Sequence, residues 1–302
     1  MNNNFGKILI TGGTGFVGKS LQNFFLERNI NYSLALRNID SVLNRNIEIH
    51  GIGDINLETD WSEALEEVDV VIHLAGQAHF KKIKSKKHSN IFDVNTDGTI
   101  SLAKKAAEKG VKRFIFLSSI KVNGEVTMNG KCFRSSDAPA PKDAYGESKR
   151  LAEEGLIKVS RETGMNFIIL RPPLILGNNA KGNLGLIELL NFLRLPIPFG
   201  GINSNVRSYI TIDLLNRILL QCISSEKALN RVILIREKSM ISTSKLIKLV
   251  FSENRRKSPI LKINERVLRK FLRLFKLKNF ENKLLNNLEI DDSEMNHIFR
   301  ES

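Results

Sequence analysis

Cysteine is almost absent. The two present, Cys132 and Cys222, lie far apart and form no C-x-x-C pair, so neither a disulfide framework nor a zinc site is indicated. Long apolar runs are missing too. No stretch approaches the roughly 18 residues of a membrane span, and the start, from Met1 to Lys7, leads straight into a strand without an apolar export segment. A cytoplasmic location is expected. Internal repeats and low-complexity tracts are lacking, and acids are outnumbered, 32 Asp and Glu against 46 Lys and Arg, for a formal charge of +14. A surplus of this size suits nucleic acid, a membrane surface or an anionic substrate. Most of it is local: residues 254–278 hold ten Lys or Arg against the single acid Glu265, a net +9. A smaller cluster, Lys81, Lys82, Lys84, Lys86 and Lys87, falls in an expected loop. No nucleic-acid-binding module accompanies the charge, so nucleic acid is not an expected partner.

What is present is a core-forming chain of 302 residues, 42% of them apolar. Apolar runs suited to buried strands occur at Lys7–Thr11, Tyr32–Leu36, Ile47–Gly51, Val70–Leu74, Arg113–Ser118 and Phe167–Leu170. Helical stretches fall between them at Gly15–Arg28, Trp61–Glu66, Thr96–Lys109 and Ala144–Thr163. This alternation predicts an α/β fold, a Rossmann-type doubly wound parallel sheet covered on both faces. Ligands in such sheets bind beyond the carboxyl ends of the strands. After Gly177 the rhythm changes to polar loops, a helix at Leu184–Leu195, a Pro-rich turn, a helix at Asp213–Ser224 and a strand at Arg231–Ile235. The expected division is a dinucleotide-binding domain over 1–178, with 209–235 returning to it, and a smaller C-terminal substrate-binding lobe over 179–208 and 236–302.

The first strand runs into Gly12-Gly13-Thr14-Gly15-Phe16-Val17-Gly18 and then an amphipathic helix. Between a strand and a helix, this G-x-x-G-x-x-G pattern is a phosphate loop. Gly12 permits the tight turn, Gly15 lets backbone approach a pyrophosphate, and Gly18 allows close packing of helix on sheet. At the end of the second strand an acid would favour NAD and an Arg would accommodate the extra phosphate of NADP. The residues here, Leu36-Arg37-Asn38, favour NADP(H) over NAD(H), unless Arg37 is only a surface charge. Asp54, in Gly53-Asp54-Ile55, either accepts from the adenine amino group or caps the next turn. Phe16, Val17, Ile55 and, at the fourth strand's end, Leu74 complete this part of the expected cofactor contacts.

The fifth strand ends in Ser118-Ser119, and a later helix opens with Tyr145-Gly146-Glu147-Ser148-Lys149. The Y-x-x-x-K spacing puts phenol and ammonium on one face, one turn apart. A phenol of pKa about 10 is a poor base near neutrality, and a neighbouring cation favours the phenolate. Tyr145 is thus the expected proton carrier for an alcohol–ketone interconversion, Lys149 its partner, and Ser119 the group that holds the same oxygen.

With these residues the chain resembles the extended short-chain dehydrogenase/reductases of the NAD-dependent epimerase/dehydratase family. The resemblance covers about residues 5 to 245 and is carried by Thr11–Gly18, His73-Leu74-Ala75-Gly76, Val94–Thr99, Phe114–Ser119, Tyr145–Lys149 and Leu170-Arg171-Pro172-Pro173. It implies that Ala75, Gly76 and Ser118 line the cofactor, that Asn95 helps organise the site, and that Pro172 passes beside the nicotinamide. It also implies a nucleotide-sugar substrate, with Asn183, Leu184, Lys121 and Arg207 as substrate contacts. Arg207 is suited to clamp a diphosphate, and Lys181 either assists or is a solvated loop residue. Dehydratases of the family carry an Asp-Glu pair after the fifth-strand Ser or Thr. Ile120-Lys121 stands here instead and cannot supply that acid and base.

An epimerase or a ketoreductase acting at a sugar C4 remains. The run Phe116–Glu125 is most similar to a bacterial surface-polysaccharide branch often labelled UDP-glucose 4-epimerase. That branch includes proposed reductases of 6-deoxy amino sugars. Asn123 stands where typical epimerases have a Tyr. A non-catalytic NADP-binding protein is the reading from another class, and such relatives tend to lose the Tyr-Lys pair retained here. Helices 96–109 and 144–163 commonly pair relatives into dimers, so a homodimer is expected. Over 260–278, Leu261, Val267, Leu268, Phe271, Leu272, Leu274 and Phe275 form one apolar stripe among Lys and Arg residues. This segment is expected to pack on the substrate lobe, with contact to an anionic membrane as the alternative.

Overall fold

The order of strands is set by where continuous apolar runs can be buried on two faces at once. In the computed structural model, which describes residues 5–39, 47–77, 91–128, 130–177, 195–252, 259–274 and 278–299, seven strands form one parallel sheet. They are β1 (Lys7–Thr11), β2 (Ser33–Leu36), β3 (Glu48–Gly51), β4 (Val68–His73), β5 (Arg113–Leu117), β6 (Asn166–Arg171) and, beyond the two strands of a small second sheet, β9 (Arg231–Leu234). Their spatial order is β3-β2-β1-β4-β5-β6-β9. The chain winds outward from β1 in one direction and from β4 in the other, so the carboxyl ends of β1 and β4 flank a crevice.

Alternate residues of each strand feed opposite cores. Ile8, Ile10, Ile115, Leu117, Ile168 and Leu170 pack with Leu21 and Phe25 of α1 (Phe16–Leu26) and with Leu215, Ile218 and Leu219 of α4 (Ile212–Ser224). Leu9, Phe114, Phe116, Phe167 and Ile169 pack with Leu102 and Ala106 of α2 (Gly98–Glu108) and with Ala152 and Leu156 of α3 (Ala144–Thr163). Helix α3 has the expected bounds. Asp143 caps its start by accepting from the Gly146 N–H at 2.8 Å, and Gly164 ends it at φ 79°, a conformation costly for any residue with a Cβ.

Two expected helices take another form. Trp61–Glu66 is a run of turns, because the segment between Asp60 and Val68 is too short to propagate a helix once Trp61 and Leu65 are buried in the α2/α3 core. The helix expected from Thr96 starts with a π-helical turn over Asp93–Asp97, which carries the buried Asn95 and Thr96. The expected helix at Leu184–Leu195 lies almost wholly outside the described residues.

The second sheet pairs β7 (Leu174–Leu176) with β8 (Tyr209–Thr211) in parallel. The rest of the C-terminal region consists of α5 (Thr243–Ser252), α6 (Glu265–Leu274), α7 (Lys278–Leu285) and α8 (Ser293–Phe299). Single-residue bridges Ile197–Ile260, Arg207–Ile241, Arg207–Leu288 and Phe133–Ile290 join it. The single apolar stripe expected over 260–278 is corrected here. Leu261 precedes α6 without being part of it, Phe275 lies outside the described residues, and the α6 residues divide between a buried and an exposed face. No helix among the described residues is long and apolar enough to cross a membrane.

Candidate active site

The crevice begins at the first turn. Gly12 has φ +74°, and a Cβ there would come within 2.6 Å of the Ala75 nitrogen. A Cβ on Gly18 would approach the Gly12 carbonyl oxygen to 2.3 Å, so neither position accepts a side chain. Gly15 meets only that oxygen, at 3.2 Å, and is otherwise open. No side chain caps α1 and no acid occupies its first turn, which leaves the N–H groups of the Phe16–Gly18 turn facing outward. These features fit a dinucleotide pyrophosphate. Of the flanking residues, Val17 packs against the first core and Phe16 against the small sheet.

Beside this turn a buried hydrogen-bond chain locks the ends of β1 and β4 together. The Thr99 hydroxyl donates to the Asn95 carbonyl at 2.8 Å, so it must accept from His73 Nε2, 2.8 Å away. His73 Nδ1 then accepts from the Thr11 hydroxyl at 2.6 Å. The Ala75 N–H donates to the same hydroxyl at 3.4 Å, and the Leu74 N–H bonds the Thr11 carbonyl at 3.2 Å. Burial pulls the His73 pKa down to about 3, with the charge of Lys149 adding to the effect, so the ring stays neutral. Asn95 continues the brace: its amide exchanges hydrogen bonds with the Gln77 backbone and donates to Ser148 Oγ of α3 at 2.9 Å. A Cβ on Gly76 would lie 3.2 Å from both Asn95 Oδ1 and Lys149 Nζ. Ala75, Gly76, Asn95 and Lys149 therefore share one wall.

Tyr145 lies one turn before Lys149 on α3, and Ser119, after β5, acts on its phenol in the direction that favours the phenolate. The Ser119 oxygen also accepts from the Lys121 N–H at 3.2 Å, which fixes its direction. The electrostatics differ from the expectation of a phenol kept acidic by Lys149. Burial pushes Tyr145 up to about 12, opposed by the influence of Ser119 and reinforced by the Asp143 carboxylate. Lys149 donates to the Leu117 carbonyl at 3.0 Å and sits 4.4 Å from the Phe116 ring centroid. Its own pKa is drawn down to about 8 by burial, which the Glu153 carboxylate opposes.

Glu153, which the sequence did not single out, supports this wall together with Arg171, Ser118 and Asn123. Arg171, at the end of β6, pairs with Glu153 in α3, Nε to Oε1 at 2.9 Å, and both side chains are almost fully buried. The Ser118 hydroxyl donates to the same carboxylate. The Ser118 side chain is thus engaged by α3, and its N–H donates to the Leu170 carbonyl at 2.8 Å. Asn123 accepts from Arg171 at 2.9 Å and donates to the Arg134 carbonyl at 2.9 Å, so it is part of the scaffold. The i, i+4 spacing of Lys149 and Glu153 was a visible signal; the approach of Arg171 depends on the register of β6 beside β5.

Lys121 extends from the β5 loop over the Tyr145 ring, 5.6 Å from its centroid, and pairs with Asp143 and with Glu125, the latter at 3.6 Å. Glu125 in turn acts electrostatically on Arg207. Arg207 is half-buried and donates to the Asn286 carbonyl at 2.8 Å. Burial draws its pKa down to about 10, the mark of a poorly solvated cation. Arg37 and Asp54, assigned separately to phosphate and adenine, are joined to each other at 2.6 Å on the exposed rim. Ile55 packs against the second core, and the buried Pro172 uses its carbonyl to accept from the Ile120 N–H at 2.9 Å. Lys181, Asn183, Leu184 and the Lys81–Lys87 cluster lie outside the described residues.

A model of the family described as NAD dependent epimerase/dehydratase matches residues 8–228. The chain belongs to that family. As a member it is an NAD-dependent enzyme of the epimerase and oxidoreductase type. It is 39% identical over 246 residues to a UDP-glucose 4-epimerase of Vibrio cholerae, a match covering 80% of this chain and 74% of that protein. It is 33% identical over 187 residues to the N-acetyl-alpha-D-glucosaminyl-diphospho-ditrans,octacis-undecaprenol 4-epimerase of Escherichia coli O157:H7, covering 61% of this chain and 52% of that one. The fold is shared with the UDP-glucuronic acid 4-epimerase of Bacillus cereus solved with NAD, at a TM-score of 0.74, 20% identity and coverage of 98% and 93%.

Proposed function

We propose that this epimerase/dehydratase family member alters the C4 carbinol of a UDP-hexose or UDP-N-acetylhexosamine, with Tyr145, Ser119 and Lys149 as its catalytic residues. The observation that carries the reading is the approach of α3 to the strand ends at Gly76, where a Cβ would lie 3.2 Å from Lys149 Nζ, with Tyr145 one turn before Lys149 and Ser119 acting on its phenol. A hydroxyl pair of this kind offers two hydrogen-bonding groups to a single substrate oxygen. Bound at Gly12–Gly18, Ala75, Gly76 and Asn95, the nicotinamide dinucleotide would supply hydride acceptance and return at C4.

The chain's own residues handle the proton. A phenol at about 12 is protonated at rest, and in that form it donates to a ketone oxygen. Removing a proton from a carbinol requires the phenolate, which Ser119 favours and which the positive charge of an oxidised nicotinamide would favour further. The glycine turn, Arg37, Asp54, Ile55, Leu74, Ser118 and Pro172 bound the cofactor side in this reading. Lys121, Asn183, Leu184 and Arg207 bound the substrate side, where a poorly solvated guanidinium gains by meeting a diphosphate. Residues 1–178 with 209–235 hold the dinucleotide, and 179–208 with 236–302 hold the sugar nucleotide.

Arg37 at the end of β2 favours a second reading within the same chemistry, a 4-ketoreductase that consumes NADPH. The experiment that separates the two is to denature freshly purified protein and identify what is released, then to offer UDP-sugars with and without NADPH. Stoichiometric NAD together with C4 inversion supports the epimerase. An empty site and NADPH-dependent reduction of a UDP-4-keto sugar supports the reductase. No change in any UDP-sugar under either condition contradicts both.

A further inference from the structure

The turn that opens α1 is closed by one backbone hydrogen bond, from the Gly15 N–H to the Gly12 carbonyl at 2.9 Å. Its central peptide joins Gly13 to Thr14. Because Gly13 has no Cβ, this peptide can swing between two faces at little steric cost. One face presents an N–H to an approaching anion, and the other presents a carbonyl oxygen.

Gln22 fixes that choice. It stands one turn after Gly18 on α1, and its side-chain amide donates to the Gly13 carbonyl at 2.6 Å and to the Gly18 carbonyl at 3.1 Å. The fit around Gly13 is tight, since a Cβ there would lie 3.2 Å from Gln22 Nε2 and 3.0 Å from Leu34 Cδ2. In a planar trans peptide the N–H points opposite to the carbonyl of the preceding residue. With the Gly13 carbonyl held by Gln22, the Thr14 N–H is therefore turned to the other side. It donates to no group among the described residues, and Thr14 is exposed.

We propose that Gln22 is a positioning residue for the dinucleotide. By holding the Gly13 carbonyl it keeps the Thr14 N–H, and not a carbonyl oxygen, presented to the diphosphate. A carbonyl swung to that side would set its partial negative charge against phosphate oxygens. The inference rests on the assignment of Gly12–Gly18 to the dinucleotide and is independent of which sugar is turned over.

Calorimetric titration of nucleotide-free, full-length protein with NAD and with NADPH tests it, on wild type, Gln22→Met, Gln22→Glu and Gly15→Val. Methionine matches glutamine in length and helix propensity but cannot donate, and glutamate sets a carboxylate against both carbonyls. Each Gln22 variant should bind both nucleotides at least about tenfold more weakly, by the same factor for the two because they share the diphosphate, with the melting temperature of the free protein close to wild type. Gly15→Val should lose binding by crowding the pyrophosphate. Wild-type affinity in both Gln22 variants, beside a loss in Gly15→Val, would overturn the inference and leave the glycine turn as the binding site. A loss confined to one nucleotide would also overturn it, since Gln22 would then act at the ribose, as would a loss that tracks a fall in melting temperature. Wild-type affinity in Gly15→Val, or a wild type that binds neither nucleotide, would remove the glycine turn as the binding site and the inference with it.

Discussion

The guanidinium of Arg37 stands 2.6 Å from the carboxylate of Asp54, tying the ends of β2 and β3 across the rim of the crevice. Both side chains are exposed, and such a pair contributes at most about 1 kcal/mol to stability. A phosphate can compete for the guanidinium at little cost to the fold. Arg37→Ala should lower the preference for NADPH over NADH by roughly tenfold with NADH use nearly unchanged. Asp54→Asn should raise that preference, because it frees Arg37 from a competing anion. Binding constants for both nicotinamides measured on both variants check the pair of outcomes.

Asp143 combines two functions that a single substitution can separate. It caps α3 through the Gly146 N–H, and its charge acts on Tyr145 while being paired with Lys121. Asparagine caps a helix about as well as aspartate does. Asp143→Asn should therefore leave the melting temperature nearly unchanged yet lower the phenol's pKa, since one of the causes that raise it is gone. The rising limb of the pH–rate profile for carbinol oxidation should move to lower pH. Asp143→Ala should in addition lose about 0.5–2 kcal/mol of stability with the cap. The two variants compared by thermal denaturation and pH–rate profile make the test.

The buried Glu153–Arg171 pair is expected to be costly to break and cheaper to replace whole. Glu153→Gln leaves a buried guanidinium uncompensated, for a loss of about 3–5 kcal/mol. Replacing both residues with apolar ones should cost less than Glu153→Gln alone, in urea denaturation. Glu153 also helps hold Lys149 at about 8 against burial. Without that carboxylate the ammonium deprotonates nearer neutrality, so the alkaline limb of the activity profile should move to lower pH.

His73 predicts a pH dependence of stability. Its folded pKa of about 3 lies below the ordinary histidine value of about 6.5, so the unfolded chain binds more protons between these limits. The contribution of neutral His73 is fully present above about pH 6.5 and is lost progressively as the pH falls toward 3. Thermal melts across this window should show stability rising with pH, and His73→Gln should flatten the slope.

The parts of this molecule that were legible in advance are those where one sequence segment determines its own burial. The strand KILIT sends Ile8 and Ile10 to one core and Leu9 to the other, and RFIFL behaves likewise, so their apolar runs announce a doubly covered sheet. Asp143 and Gly164 punctuate α3 with local rules alone. The C-terminal region was much less legible because single-residue bridges between distant segments hold it, such as Arg207 with both Ile241 and Leu288. No periodicity marks a bridge. The Arg37–Asp54 and Glu153–Arg171 pairs were hidden for a related reason: each joins residues distant in the sequence that only the folded arrangement of strands and helix brings together. Lys149 shows a third limit. Spacing puts its ammonium on the face of Tyr145, but burial and the Leu117 carbonyl decide where its charge acts.

The claim on which the account turns is proton transfer by Tyr145 at a sugar C4. Its most direct test is proton NMR of UDP-N-acetylglucosamine, UDP-glucose and a UDP-4-keto sugar, each incubated with wild-type protein or Tyr145→Phe and with NAD or NADPH. The account predicts a C4-altered product from at least one substrate with the wild type, and a fall of about 10²–10⁴-fold in rate for the correctly folded variant. Equal rates for the two proteins would contradict it, and so would a wild type that leaves C4 untouched in every substrate.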